Sequence, residues 1–482
     1  MTDSSKPYFA QALDALKAGD RKSAAAMICR ELSEGNTSPR NLPSVVQLAA
    51  YIGEIDLAIE ASRRSIVPGS LPSLLAHWAI LATYGRTDEA LKQIGRQPQS
   101  IREHPFVLHY RGTVANQFGR FEEAEQLFRQ VLASEPTAMQ TWFTLAMLKR
   151  FEPGDADIGA MERLDRLKVG PPEARASLRY ALGKACEDIG EIDRAFAYYS
   201  SGAALRREQE VFDWERYDRT AQRVIQEFKA DTLASLRRAG FNQQRSLFVT
   251  GLPRSGTTLT EQMLVAHSAV EQGAELNLAG VALIPTKGIT IDGARAYERR
   301  STSADPWGAI GADYAQLVDQ RFQSRSLIVD KSLGQSLLTG LLLHALPEAR
   351  IAWLRRSPDD VALSCFRNYF STGLKWTWSL TDIAHYMRTE DRLFAHWTSV
   401  FGDRILVVPY EKLVKDPVGW KTTLQNHFGL SADLGTEQPP KPERAITTAS
   451  SVQVRQPVST ERIGQAAKFE RHLKPFRDLY YG

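Results

Sequence analysis

Three absences narrow the chain before any motif is read. Cysteine is scarce: Cys29, Cys186 and Cys365 are the only three in 482 residues, and they lie far apart. That spacing excludes a disulfide framework and a cysteine metal knuckle, and leaves buried, reduced thiols as the expectation. An excess of one charge is also lacking, since 60 Lys and Arg face 56 Asp and Glu for a net charge of +4. Such a balance gives no general attraction to nucleic acid, so any basic site has to be local. No apolar run is long enough to span a bilayer, and the polar start Met1-Thr2-Asp3-Ser4-Ser5-Lys6-Pro7 has no signal-peptide pattern. A cytoplasmic protein without membrane or nucleic-acid partners is the expectation. No His, Cys and Asp cluster has metal-ligand spacing, so no metal is expected.

A fourth absence is a single residue. Leu247-Phe248-Val249-Thr250 leads into Gly251-Leu252-Pro253-Arg254-Ser255-Gly256-Thr257-Thr258, and a helical pattern follows. Strand, phosphate-sized loop and helix are thus in order. Gly251 and Gly256 meet the spacing of a nucleoside-triphosphate loop, G-x-x-x-x-G-K-[ST], but Thr257 stands in the lysine slot. The loop therefore suits an anion other than the triphosphate of an ordinary P-loop enzyme. Gly256 lets the backbone approach an anion, the amides of Ser255 to Thr258 begin the helix, Arg254 adds charge, and Thr257 and Thr258 add hydroxyls.

Repetition is plentiful before residue 210. Counting Pro105 as position 1, Gly112 takes position 8, Gly119 position 15, Ala124 position 20, Phe128 position 24 and Pro136 position 32. Gly183, Cys186, Gly190, Ala195, Tyr199 and Gly202 repeat the pattern. Weaker copies are anchored on Gly19, Gly53 and Gly85, and an atypical pair turns at Glu152-Pro153-Gly154-Asp155. Small residues let paired helices approach, and glycine permits the turn between them. The pattern resembles the tetratricopeptide repeat (TPR), with five or six copies over residues 7–210. The resemblance implies an α-helical solenoid whose concave face takes an acceptor protein or peptide. Two plainer roles stay open: the array forms a homodimer, or it buttresses the second half.

A helical connector is expected over residues 211–244, and an α/β domain over 245–482. Apolar runs at 246–250, 326–329, 350–354 and 404–408 alternate with helical patterns, which predicts a parallel sheet. Ligands of such sheets bind beyond the carboxyl ends of the strands. Three of those ends carry polar groups: the opening loop, Arg355-Arg356-Ser357-Pro358, and Pro409-Tyr410. Ser357 reads as the N-cap of a helix that begins at Pro358 and places Ser364 eight residues after Arg356. The plainer reading of Arg356 is pairing with Asp359 or Asp360.

Together these residues resemble the sulfotransferase superfamily, whose donor is 3′-phosphoadenosine 5′-phosphosulfate (PAPS) and whose product is adenosine 3′,5′-bisphosphate. The resemblance implies a three-layer α/β fold and a loop, Pro253-Arg254-Ser255-Gly256-Thr257-Thr258, around the 5′-phosphosulfate. It implies Arg356 and Ser364 at the 3′-phosphate, with Tyr410 nearby. Arg254 with Leu259 looks closer to the protein-tyrosine sulfotransferase branch, and with the repeats in front the chain resembles bacterial TPR-sulfotransferase proteins. That branch implies Glu275 as the base that takes the acceptor's proton and Lys331 as the cation on the sulfuryl oxygens. His267 is the rival base, read as structural, and the plainer reading of Lys331 is a surface pair with Asp330. The late segment around Ser450 and Ser451 looks like a lid over the nucleotide, with Arg455 adding charge. The branch's late lysine falls near Gln465, or at Lys468 after a shift in register. An inactive TPR scaffold and a small-molecule kinase are the alternatives to transfer.

Overall fold

Glycines in the left-handed conformation turn the chain at Gly19, Gly53, Gly85, Gly119, Gly154 and Gly190, at intervals of 34, 32, 34, 35 and 36 residues. Each lies between two successive helices. The first three pairs are Tyr8–Ala18 with Arg21–Glu34, Leu42–Tyr51 with Ile55–Arg64, and Leu71–Thr83 with Thr87–Gly95. Pro105–Gln117 with Phe121–Ser134, Met139–Leu148 with Ala156–Leu167, and Pro172–Asp188 with Ile192–Arg207 complete the series among the described residues. The pairs pack closely because their facing positions lack a side chain. A Cβ at Gly112 would lie 2.6 Å from the Phe128 ring, and one at Gly183 would lie 2.5 Å from the Tyr199 ring. The fifth pair, with the atypical turn, is looser: both of its helices lean on Pro172–Asp188. The computed structural model describes residues 7–35, 41–322, 324–370, 373–431 and 458–482. Ser450, Ser451 and Arg455 lie outside these residues.

The connector forms helices Trp214–Glu227 and Ala230–Ala234. Five parallel strands follow: β1 (Ser246–Gly251), β2 (Val270–Gln272), β3 (Leu327–Asp330), β4 (Ile351–Arg355) and β5 (Ile405–Pro409), in the order β2-β3-β1-β4-β5. Four of them were expected, each within a residue or two; β2, three residues long, is too short to show a pattern. Arg350 and Arg404 stand just before their strands rather than within them. Arg404 instead donates to the carbonyls of Leu343, Leu346 and Ala349. Alternate residues of β1 feed two cores. Leu247 and Val249 pack with Leu264, Leu413 and Leu424, while Phe248 packs with Trp307, Tyr314 and Trp397. Helices thus cover both faces, which makes the three layers.

The two halves share material. One core holds Tyr180, Cys186, Tyr199 and Ala203 of the helical half with Phe366, Trp376, Trp378 and Phe469 of the other. At the opposite end Arg21, 3% exposed, donates to both carboxylate oxygens of Asp313 at 2.8 and 2.6 Å. Cys186 and Cys365 are buried as expected, but Cys29 is exposed, on the solvent side of the helix Arg21–Glu34. No helix among the described residues is long and apolar enough to cross a membrane.

Candidate active site

Every expected site residue that the structure describes lies at the carboxyl edge of this sheet. The loop after β1 is forced into shape by what surrounds it. Gly251 has φ 144° and a Cβ there would lie 2.8 Å from the Leu354 carbonyl; Gly256 has φ 107° and its Cβ would meet the Tyr410 ring at 2.5 Å. Only glycine fits both places. Arg254, between them, holds φ 68°, which is strained for a side-chain-bearing residue. Ser255 is buried and its hydroxyl donates back to Leu252 O at 2.7 Å, so it stiffens the loop. Thr257 and Thr258 are buried at the start of the helix Thr257–Val265, which Gly256 precedes.

The β4 exit meets that loop. Arg254 Nε donates to Ser364 Oγ at 3.0 Å, and Arg356 Nη1 donates to Arg254 O at 3.0 Å. The Arg356 guanidinium lies 4.5 Å above the Tyr410 ring, so Tyr410 is a platform rather than a hydroxyl carrier. Pairing with Asp360 is long, at 3.6 Å, and Asp359 instead pairs with Arg477. Arg356 Nε is buried and has no hydrogen-bond partner among the described residues. Ser357 precedes the helix Pro358–Phe366 as read, but its hydroxyl does not cap it; its N–H donates to Glu411 at 2.8 Å. Arg355 turns away to Asp391.

Two arginines at this edge had no signal in the sequence. Arg367 ends the helix that carries Ser364, and Arg462 enters from the last described segment, where its carbonyl accepts from Arg356 Nη2 at 2.5 Å. Burial lowers the Arg254 guanidinium to about 10, helped by the charges of Arg367, Arg462 and Arg356. Burial likewise lowers Arg462. Such crowding is unfavourable unless an anion answers it, and Arg356 Nε is left pointing at no acceptor among the described residues. Gln465 bonds back to Glu461 O and Lys468 is exposed, so Arg462 brings the late segment's charge to Arg356 in their place.

On the other side of β1, the exits of β2 and β3 bring Glu275 and Lys331 together. Lys331 Nζ lies 3.2 Å from Glu275 Oε1, with side chains 1% and 41% exposed respectively. The expected plainer pair is absent: Asp330 is buried and accepts from Tyr314 Oη at 2.8 Å and from Ser332 N at 3.1 Å. His267 is not free to act as a base. Its Nδ1 accepts from Ala269 N–H at 3.1 Å, so Nε2 carries the proton and donates to Ser431 O at 3.0 Å. Among the described residues no group of three or more His, Cys, Asp and Glu could hold a metal ion.

An edge with one crowded cationic end and one Lys–Glu end, joined by a glycine-forced loop, narrows the families it can come from. Residues 246–433 match the family model described as "Sulfotransferase family". This sulfotransferase-family region contains every site residue above except Arg462. An uncharacterized protein of Aquifex aeolicus (strain VF5) is 26% identical over 406 residues, which cover 81% of this chain and 52% of that protein. The chain thus spans about half the length of the curated relative it matches. Among solved structures, the sulfotransferase domain of the Synechococcus PCC 7002 olefin synthase is 20% identical with a TM-score of 0.33, covering 50% of this chain and 98% of that one. A Mycobacterium tuberculosis sulfotransferase is 12% identical with a TM-score of 0.29, covering 69% and 99%.

The helical half reaches both ends of the edge. Glu187 accepts from Arg367 and from Tyr199 Oη, and Tyr180 Oη donates to Phe366 O at 3.1 Å. On the β2 side, Tyr84 lies under the Arg321 guanidinium at 5.8 Å, and Arg321 donates to Leu276 O, next to Glu275, at 2.8 Å.

Proposed function

We propose that this chain is a sulfotransferase that moves the sulfuryl group of PAPS to an acceptor hydroxyl. The observation that carries the reading is Arg356 Nε, without a partner among the described residues, inside a cluster of four arginines, with the Lys331–Glu275 pair on the far side of the same loop. An ordinary triphosphate loop would need no second anion site.

In this reading Arg356, Ser364 and Arg254 hold the 3′-phosphate end, with Arg367 and Arg462 adding field. Pro253 to Thr258 wrap the 5′-phosphosulfate, with the backbone amides after Pro253 facing it. Glu275, the exposed member of its pair, takes the proton as the acceptor oxygen bonds to sulfur. Lys331 and the amides at the helix start neutralise the charge that grows as the bond from sulfur to the 5′-phosphate oxygen breaks. The electron pair of that bond leaves on adenosine 3′,5′-bisphosphate. Ser450 and Arg455 belong to this reading as lid residues.

We further propose that the helical pairs are a TPR array whose inner face presents a protein or peptide acceptor, tyrosine being one candidate. The regular glycine intervals support this assignment. The contacts through Glu187 and Tyr84 favour a second role in which the array braces the site.

Thermal shift tests the donor. Adenosine 3′,5′-bisphosphate should raise the melting temperature; stabilisation by ATP·Mg²⁺ alone would sink the reading in favour of a kinase. Incubation with labelled PAPS and host lysate should mark an acceptor, and bisphosphate binding without any labelling would identify an inactive scaffold.

A further inference from the structure

Glu261 is the most deeply buried carboxylate near this edge, and the roles above leave it unused. It sits one helical turn into Thr257–Val265 and is 0% exposed. Its Oε1 accepts from Ala274 N–H at 2.8 Å, while Oε2 is buried without a hydrogen-bond partner among the described residues. Burial pushes its carboxyl up to about 7, against the pull of Lys331. A carboxyl kept in such a place costs stability unless it does something there.

What it holds is the turn that carries Glu275. That turn is conformationally improbable. Ala274 has φ 57° and Asn277 has φ 54°, both left-handed with side chains. Gly273 has no room for a Cβ, which would lie 2.3 Å from Val329 O. The β3 exit fixes one side of the turn: Lys331 N–H donates to Ala274 O at 2.9 Å, and Asn277 N–H donates to Ser332 Oγ at 2.7 Å. Glu261 fixes the other side. Ala274 is therefore clamped at its carbonyl by the lysine's own backbone and at its amide by a carboxylate from the helix that opens under the anion loop.

We propose that Glu261 is a positioning residue, which ties the Glu275 turn to the loop's helix and so sets the base and Lys331 in register with the donor. The proposal rests on the sulfotransferase reading. Loss of the clamp frees Ala274 from a strained conformation, and Glu275 then leaves its place beside Lys331. Misplacement on the scale of an ångström costs on the order of 100-fold in rate.

The test compares Glu261→Ala, Glu261→Leu and Glu261→Gln in the full chain, with bisphosphate affinity and PAPS turnover measured separately. Glutamine keeps an acceptor oxygen for Ala274 N–H; leucine fills similar volume without one. Expected is a fall in kcat of about 10- to 100-fold for Ala and Leu, an unchanged bisphosphate Kd, and recovery to within about threefold of wild type for Gln. Should Glu261→Ala fail to fold, the leucine and glutamine pair makes the same comparison. Unchanged kcat in the leucine variant, or a glutamine variant as slow as leucine, overturns the proposal. Parallel loss of bisphosphate affinity and kcat overturns it too, since that marks general disruption. A wild-type chain that neither binds bisphosphate nor transfers sulfuryl removes the sulfotransferase reading itself; an active wild type with an equally active leucine variant removes only the role of Glu261.

Discussion

At the β4 side of the edge, Arg254, Arg356, Arg367 and Arg462 gather, with Glu187, Asp360 and Glu461 to answer them. At the β3 side the signs are reversed: Glu261, Glu275 and Asp330 gather with two cations, Lys331 and Arg321. The same short loop separates the two. Each end is unfavourable by itself, for burial lowers Arg254 on one side and raises Glu261 and Asp330 on the other. A fold selected for stability alone would exchange charges between them. In the proposed reading, keeping them apart sorts the work: anion binding at one end, proton handling at the other.

Variants at the two ends should therefore fail differently. The largest effect is expected at the β3 side, where Glu275→Ala should lower turnover by about 1,000-fold or more, within the range of general-base catalysis, and leave bisphosphate affinity within about twofold. Retained transfer would remove Glu275 from its role and blur the contrast. At the β4 side, Arg356→Ala should weaken bisphosphate binding by about 2 kcal/mol, roughly 30-fold, as loss of a charge-assisted contact does. Isothermal titration checks this, and an effect below threefold would mean that the arginine cluster answers protein groups rather than a ligand.

A third effect concerns stability rather than binding or turnover. The Glu261 carboxyl lies at about 7 in the folded chain against an ordinary 4.5. A raised carboxyl gives its full stability below the unfolded value, and loses it as pH rises through the folded one. Glu261→Gln removes that loss. The variant's stability relative to wild type should climb between pH 4.5 and 7 and level off above, by up to about 3 kcal/mol. Urea midpoints at pH 5 and pH 8 read the difference; a pH-independent gap would show that Glu261 ionises normally.

Much of this edge is legible in the sequence, because chain-local chemistry determines it. The loop from Gly251 to Thr258 combines an apolar strand, two glycines and a helix start within a dozen residues, and the structure forms each in place. Arg356 stands two residues before the helix that carries Ser364, and Arg254 joins the two. The Lys331–Glu275 contact joins residues 56 apart, and only the family resemblance brought them together. Glu261 could not be singled out: one polar residue in an amphipathic helix reads as solvent-facing, and its partner is the backbone of a turn. Arg367 and Arg462 were silent for a similar reason, since arginine at a helix end or in a loop is ordinary until the fold packs it beside others. Ser357 misled, because its backbone rather than its hydroxyl was engaged. β2 was missed because three residues show no period.

The bond between Arg21 and Asp313 spans 292 positions. During synthesis at ~5–20 residues per second, about 15–60 s pass between the emergence of the two. For that interval the Arg21 guanidinium has Glu54 of the second pair, at 2.6 Å, but not its two-oxygen partner. The first helical pair thus gains its contact with the sheet domain long after it is made, and a faster or slower ribosome would alter how long it waits rather than how tightly it finally holds.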